Sequence, residues 1–202
     1  MENKNLENNK KSEIVYQGKM FEVVRFEPKP GVVFETAVRA PGTRLLVEYE
    51  KSGEFGLLMT RELRHDREGS VWDYRLPGGK VYDSLQDFNN AKENNNDLND
   101  DTLKAAKLEA IQEVGIKDGD FSKINISKAG GSVEWDLHYF LVKDVELGNQ
   151  ELEDHEQGEI EVTFLSIPEI FNKLKNGEIK EGRSAAVIWD YLVKKDFIKL
   201  AV

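Results

Sequence analysis

Glu109 and Glu113 stand four positions apart in the stretch AAKLEAIQEVGI (residues 105–116), with Gln112 beside the second acid and Gly115 closing the run. At helical pitch both carboxylates fall on one stripe, opposite an apolar side made by Leu103, Ala110, Val114 and, more loosely, Ile111. Ala105 and Ala106 border the acids and leave room for something else to come close. Two like charges at this spacing repel by roughly a few tenths of a kcal/mol on an isolated helix, a cost that vanishes when both coordinate a divalent cation. Hard oxygen donors with no thiol at hand select Mg2+ or Mn2+. The plainer reading is an exposed helix face carrying ordinary solvated glutamates. The chain has no cysteine, which excludes disulfides, thiolate nucleophiles and cysteine-held zinc. Its histidines, His65, His138 and His155, are too scattered for ligand spacing.

Upstream, an aromatic run (SVWDYR) ends in Leu76, Pro77, Gly78, Gly79, Lys80 and Val81, where the paired glycines imply conformations or close approaches that a Cβ would forbid. This loop followed by that helix resembles the Nudix box of pyrophosphohydrolases, a loop-helix-loop motif reading G, five residues, E, seven residues, then R-E-U-x-E-E-x-G-U with U aliphatic. On that resemblance Glu109 matches the glutamate after the arginine, Glu113 the last acid of the E-E pair, and Gly115 and Ile116 the closing G-U. The match departs at Leu108, which stands in the arginine position, at Gln112, which replaces the first acid of the pair, and at Leu85, where the first glutamate would fall. An Asn-rich insertion separates the two halves. The motif arginine orients a carboxylate by a charge-assisted pair, so its loss leaves Glu109 less firmly held. Gln112 offers a carbonyl oxygen but no charge, and the site should hold fewer or weaker ions.

The resemblance runs over residues 14–195, through the REL-R segment and HEQGEIEVTFLSIPEIFNKLKNGEI to RSAAVIWDYL, and is that of the ADP-ribose and nucleoside diphosphate sugar pyrophosphatase branch. It implies Mg2+-dependent (or Mn2+-dependent) hydrolysis of the diphosphate linkage of ADP-ribose-like or other nucleoside diphosphate-linked compounds. Glu109 and Glu113 would hold the metal with the main-chain oxygen of Gly78 and with Gln112 as a neutral donor. Glu156, in the acidic loop before IEVTFL, would be the general base, with Glu153 and Glu159 as rivals by spacing; the alternative is a solvated charged turn. Arg64 would contact phosphates and Arg39 is a second candidate for that work, against the reading of a surface ion pair. Trp72 and Tyr74 alternate on one strand and face the same way, so Trp72 could stack on a base, although sheet-core packing is the commoner fate of such aromatics. Members of the branch are commonly homodimers. A reading from another class is a Nudix-fold nucleotide-binding or regulatory module that has lost turnover through Leu108 and Gln112; a third is a hydrolase of non-nucleotide diphosphates.

The elements that must position these residues follow from pattern. Short runs rich in Val, Phe, Leu and Thr from Ile14 to Leu63 read as a meandering sheet whose first part, residues 14–40, forms an N-terminal β extension. The segment 84–101, dense in Asn and Asp, reads as a surface loop ending where Asp100 or Asp101 caps the acid-bearing helix. Two strands around Gly130 and Gly131, a strand at IEVTFLSI, a helix opened by Pro168 and closed by Gly177, and a last amphipathic helix complete the order. The expected class is α+β, an α/β/α sandwich with a mixed sheet flanked by helices, in one domain over residues 14–202 behind a disordered tail, residues 1–13. A net charge of −10 argues against a nucleic-acid partner. No run approaches the roughly 18 apolar residues that cross a bilayer, and MENKNLENNKKSE lacks a signal-peptide core, so the expectation is a cytoplasmic protein with no membrane partner.

Overall fold

The computed structural model describes residues 12–66 and 69–198. Of the expected tail, residues 1–11 lie outside the described residues, while Ser12 and Glu13 already belong to the first strand. The described residues divide into two compact units, one made of residues 12–41, 82–96 and 128–136 and the other of residues 42–66, 69–81, 97–127 and 137–198.

In the first unit, strands β1 (Ser12–Gln17), β2 (Phe21–Lys29) and β3 (Val32–Arg39) form an antiparallel meander, with Phe26 opposite both Ser12 and Phe34. The turn between β2 and β3 places Gly31 at φ +77°, a left-handed conformation that favours glycine. Helix α1 (Leu85–Glu93) replaces the loop expected over residues 84–101. Its Asn and Asp residues act locally in the way that suits their short polar side chains: the Ser84 hydroxyl accepts from the Asp87 amide, Gln86 donates to Asn90, and Asn95 takes a positive φ after the helix ends. Leu85 and Ala91 give the helix a buried side.

In the second unit, β4 (Gly42–Lys51) runs antiparallel to β5 (Glu54–Asp66) and parallel to residues Leu137–Val142 of β8 (Val133–Leu147); β7 (Ile116–Gly130), which pairs with β8, precedes it in the chain. Strand β6 (Gly69–Arg75) continues along one edge of β5, and β9 (Ile160–Ser166) covers the other. The sheet is therefore mixed, and the long strands β7 and β8 make the chain richer in strand than a three-layer sandwich pattern suggests. Residues 42–47 are buried without alternation, as befits a central strand covered on both faces. Leu45, Val47, Leu58, Phe140 and Val142 pack with Ala106, Ala110, Val114 and Ile116 into the core, which fixes helix α2 (Leu98–Glu109) on the sheet. Asp97 caps α2 by accepting from the Asn99 amide, ahead of the expected Asp100 or Asp101. Helix α3 (Ile167–Lys175) opens with Pro168 and a Ser166/Glu169 capping box and packs on β5 and β9; α4 (Gly182–Lys194) follows. No helix among the described residues is long and apolar enough to cross a membrane.

Candidate active site

Helix α2 stops at Glu109, and residues Ala110–Val114 form a single wider π turn before Gly115 closes it at φ +76°. Such turns recur at functional sites because they re-aim side chains within an otherwise regular helix. Ala105 and Ala106, expected to border an open acidic stripe, are instead core residues, and the acids are drawn inward with them. Glu113 is only 5% exposed, which rules out the solvated-glutamate reading for it. Its Oε2 accepts the Gly78 amide at 2.6 Å. The Glu109 carboxylate rests on Gly79 so closely that a Cβ there would collide with it. Both acids thus face the Gly78–Gly79 bend, and Gly78 is required there: it has φ +136° and a Cβ on it would strike the Thr43 carbonyl.

The bend itself is fastened to β4. Thr43 N donates to Gly79 O at 2.9 Å and Leu45 N to Pro77 O at 2.8 Å. Between them Arg44 Nη1 donates to Gly78 O at 3.0 Å and to Thr43 O at 2.8 Å. The Gly78 oxygen expected to face a metal is therefore already an acceptor for a guanidinium. Arg44 also forks onto both oxygens of Glu181, at 2.9 and 3.1 Å.

Around this centre the strands deliver a charge cluster that the sequence did not reveal. Glu62 accepts from Thr60 Oγ1 at 2.8 Å and pairs with Arg75 at 3.2 Å and Arg64 at 3.3 Å. Asp73 and Glu181 take the other two arms of Arg75, at 3.3 and 3.2 Å. Glu62, Asp73, Glu109, Glu113 and Glu181 outnumber the guanidinium groups among them, those of buried Arg44 and half-buried Arg75, so the cluster carries surplus acid. Burial foremost, then the charge of Glu156, lifts the Glu109 carboxyl to about 7 against the pull of Arg44 and Lys80. Burial, with Glu62 and Glu109 beside it, holds the Glu113 carboxyl well above the usual carboxylate range. Burial would raise Glu181 as well, but the hydrogen bond and charge of Arg44 pull it down to about 2. The only signal for these residues was alternation: Thr60, Glu62 and Arg64 on β5, and Asp73 and Arg75 on β6, share one face through the Glu62–Asp73 register.

A groove of about 220 Å³ adjoins the cluster, lined by Glu62, Arg64, His65, His155, Glu156 and Glu159 among others. Arg64 and Glu156, two of the sequence candidates, meet here. Arg64 is well exposed and Glu156 caps a short 3-10 turn (Asp154–Glu156) by accepting from the Glu153 amide. The connector carrying Glu156 is tied down at both ends. Gln150 Nε2 donates to Glu113 O at 2.6 Å and Glu151 N to Gln112 O at 3.0 Å; Leu63 N donates to Glu159 O at 2.8 Å, and His65 Nε2 lies 2.9 Å from Glu159 Oε1.

Not all candidates converge. Trp72 lies on the face of β6 opposite Asp73, half-buried, with the Arg61 guanidinium 4.6 Å above its ring; it is neither sheet core nor on the acid side. Arg39 belongs to the first unit, 4.4 Å over the Trp135 ring. Gln112 is half-buried, and Leu108, in the position of the motif arginine, is 55% exposed. Among the described residues no group of three or more acidic, histidine or cysteine side chains is arranged to hold a metal. The donor chemistry nevertheless suits a hard divalent cation, which commonly takes one or two carboxylates and completes its shell with water and phosphate oxygens.

No protein-family model matches the sequence, and no curated protein is similar to it. Among solved structures, the chain is similar to a protein described as an ADP compounds hydrolase, with a TM-score of 0.64 and 16% sequence identity over 93% of this chain and 95% of that one. At that identity the likeness carries the fold: a mixed sheet with helices, shared along nearly the whole chain.

Proposed function

We propose that this chain has a Nudix-type fold and hydrolyses the diphosphate linkage of ADP-ribose-like or other nucleoside diphosphate-linked compounds with the help of Mg2+ or Mn2+. The observation that carries the reading is the placement of buried Glu113 and half-buried Glu109 against the Gly78–Gly79 bend, in a cluster with more acid than base. Glu109 and Glu113 would hold the cation, with Gln112 within the same turn as a neutral donor. A divalent cation bound there supplies charge neutralisation for the diphosphate and lowers the cost of attack on it.

The chain's own groups do the rest. Arg64, lining the groove and paired with Glu62, would pair with phosphate oxygens. Glu156, on the same groove and near enough to Glu109 to raise its carboxyl, would take the proton of the attacking water. Water adds across one P–O bond and two monophosphates leave. The test is product analysis after incubation with Mg2+ and ADP-ribose, ADP-glucose, diadenosine polyphosphates, common triphosphates and non-nucleotide diphosphates. Cleavage of the first group is expected; a chain that cleaves none of them is not this hydrolase.

A second reading is a nucleotide-binding module without turnover. It is favoured by the exposed Leu108, by Gln112, and by the engagement of the Gly78 oxygen by Arg44. Binding of ADP-ribose without cleavage, and cleavage gained in Leu108→Arg/Gln112→Glu, would support it. A homodimer is proposed as well, since Ile14, Tyr16, Val33 and Phe34 of the first unit are each more than half exposed. Light scattering checks it.

A further inference from the structure

Arg44 reaches the site from β4 with its side chain 8% exposed and every arm of its fork engaged. Nη1 holds the carbonyls of Gly78 and Thr43; Nε and Nη2 hold the two oxygens of Glu181. Glu181 in turn accepts from Arg75 and from the Ser184 hydroxyl, which fixes it at the start of α4. On the other side of the bend, the Gly78 amide is given to Glu113. With Pro77 O and Gly79 O both bound to β4 amides, the Gly78 carbonyl keeps its direction toward Arg44. A guanidinium never gives up its charge, and its planar fork is matched to carboxylate and carbonyl oxygens. It therefore takes one lone pair of a main-chain oxygen and sets a fixed positive charge against it, where a second metal ion would have to come.

We infer that Arg44 is a built-in cation of this site: a positioning residue that holds the Gly78 carbonyl and offsets the acid around Glu113, so that Glu109 and Glu113 take one divalent ion and not several. The inference rests on the divalent-cation reading above. It is tested by titrating Mn2+ into the metal-free chain and counting bound ions by electron paramagnetic resonance. One ion per chain is expected for the wild type and for Arg44→Lys, which keeps the charge. In Arg44→Met, which frees the Gly78 oxygen and uncovers the acid, the count should double to two, and in Arg44→Met/Glu181→Gln, which frees the same oxygen with the net charge of the cluster unchanged, it should double as well. Two or more ions on the wild type, or one on the double variant, overturns the inference and leaves the cation reading standing. No ion on the wild type overturns both. Should these variants not fold, the count on Arg44→Gln, neutral and without the fork, decides in their place: two ions are expected and one overturns the inference.

Discussion

Two ends of one charge cluster treat their acids in opposite ways. At the α4 end, Glu181 has a partner for each oxygen, from Arg44, Arg75 and Ser184, and its carboxyl sits at about 2. At the π-turn end, Glu109 and Glu113 share the field of the same arginine without an equivalent fork, and burial pushes both carboxyls up. The difference is one of satisfaction rather than depth. A buried acid with a matched donor set stabilises the fold; a buried acid beside other acids is held in place by the fold at a cost in charge repulsion.

The comparison breaks most visibly if Arg44 is replaced. Arg44→Met leaves Glu181 buried without its fork, and the expected loss is about 3–5 kcal/mol in urea denaturation. A loss no larger than that of an exposed ion pair would mean the α4 end is not the paired one. The pH dependence sharpens the contrast. Glu109, ordinarily near 4.5 and raised to about 7 in the fold, contributes stability that is present below pH 4.5 and is lost as pH rises to about 7. The loss in metal-free protein reaches up to about 3 kcal/mol, Glu113 acts in the same direction, and added Mg2+ should restore most of it above pH 7. Glu181 works the other way: its contribution is present above pH 4.5 and disappears as pH falls toward 2. Melting curves from pH 3 to 9, with and without Mg2+, separate the two.

Smaller effects follow at the π turn and the groove. Glu113→Gln keeps an acceptor for the Gly78 amide but removes the charge, so Mn2+ affinity should fall by roughly tenfold or more, about 1.4 kcal/mol, while stability holds or rises. A loss of stability instead would make Glu113 a structural acid. The smallest change in stability is expected for Arg64→Ala, under about 1 kcal/mol because its pair with Glu62 is open to solvent on the arginine side. Under the proposed function, KM for ADP-ribose should nonetheless rise by about tenfold, measured in the same assay as the wild type.

How much of this was readable in advance differs by residue. Glu109, Glu113 and the twin glycines announced themselves through spacing and composition, and the structure brings them together at one bend. Glu156 and Arg64, read from the resemblance, meet in the adjoining groove. Arg44, Glu62, Asp73, Arg75 and Glu181 were passed over because each sits singly in a strand or at a helix start, where a charged residue ordinarily marks a solvated face. The Asn-rich segment misled in the other direction: composition read as a loop, whereas Ser84, Asp97 and a few buried side chains spend those same polar groups on capping two helices.

The sequence by itself determined the elements whose signals are local: the apolar runs of β4 and β5, Pro168 and the capping box of α3, and the glycines that need a positive φ or an absent Cβ. Only the tertiary structure decided where Glu109 and Glu113 point, since that depends on a π turn set by core packing around Ala106, Ala110 and Val114 and on a bend strapped to a distant strand. Local signals report what a backbone prefers; the balance of charge at a buried site depends on which distant residues the fold brings within a few ångströms, and no neighbour in sequence records that.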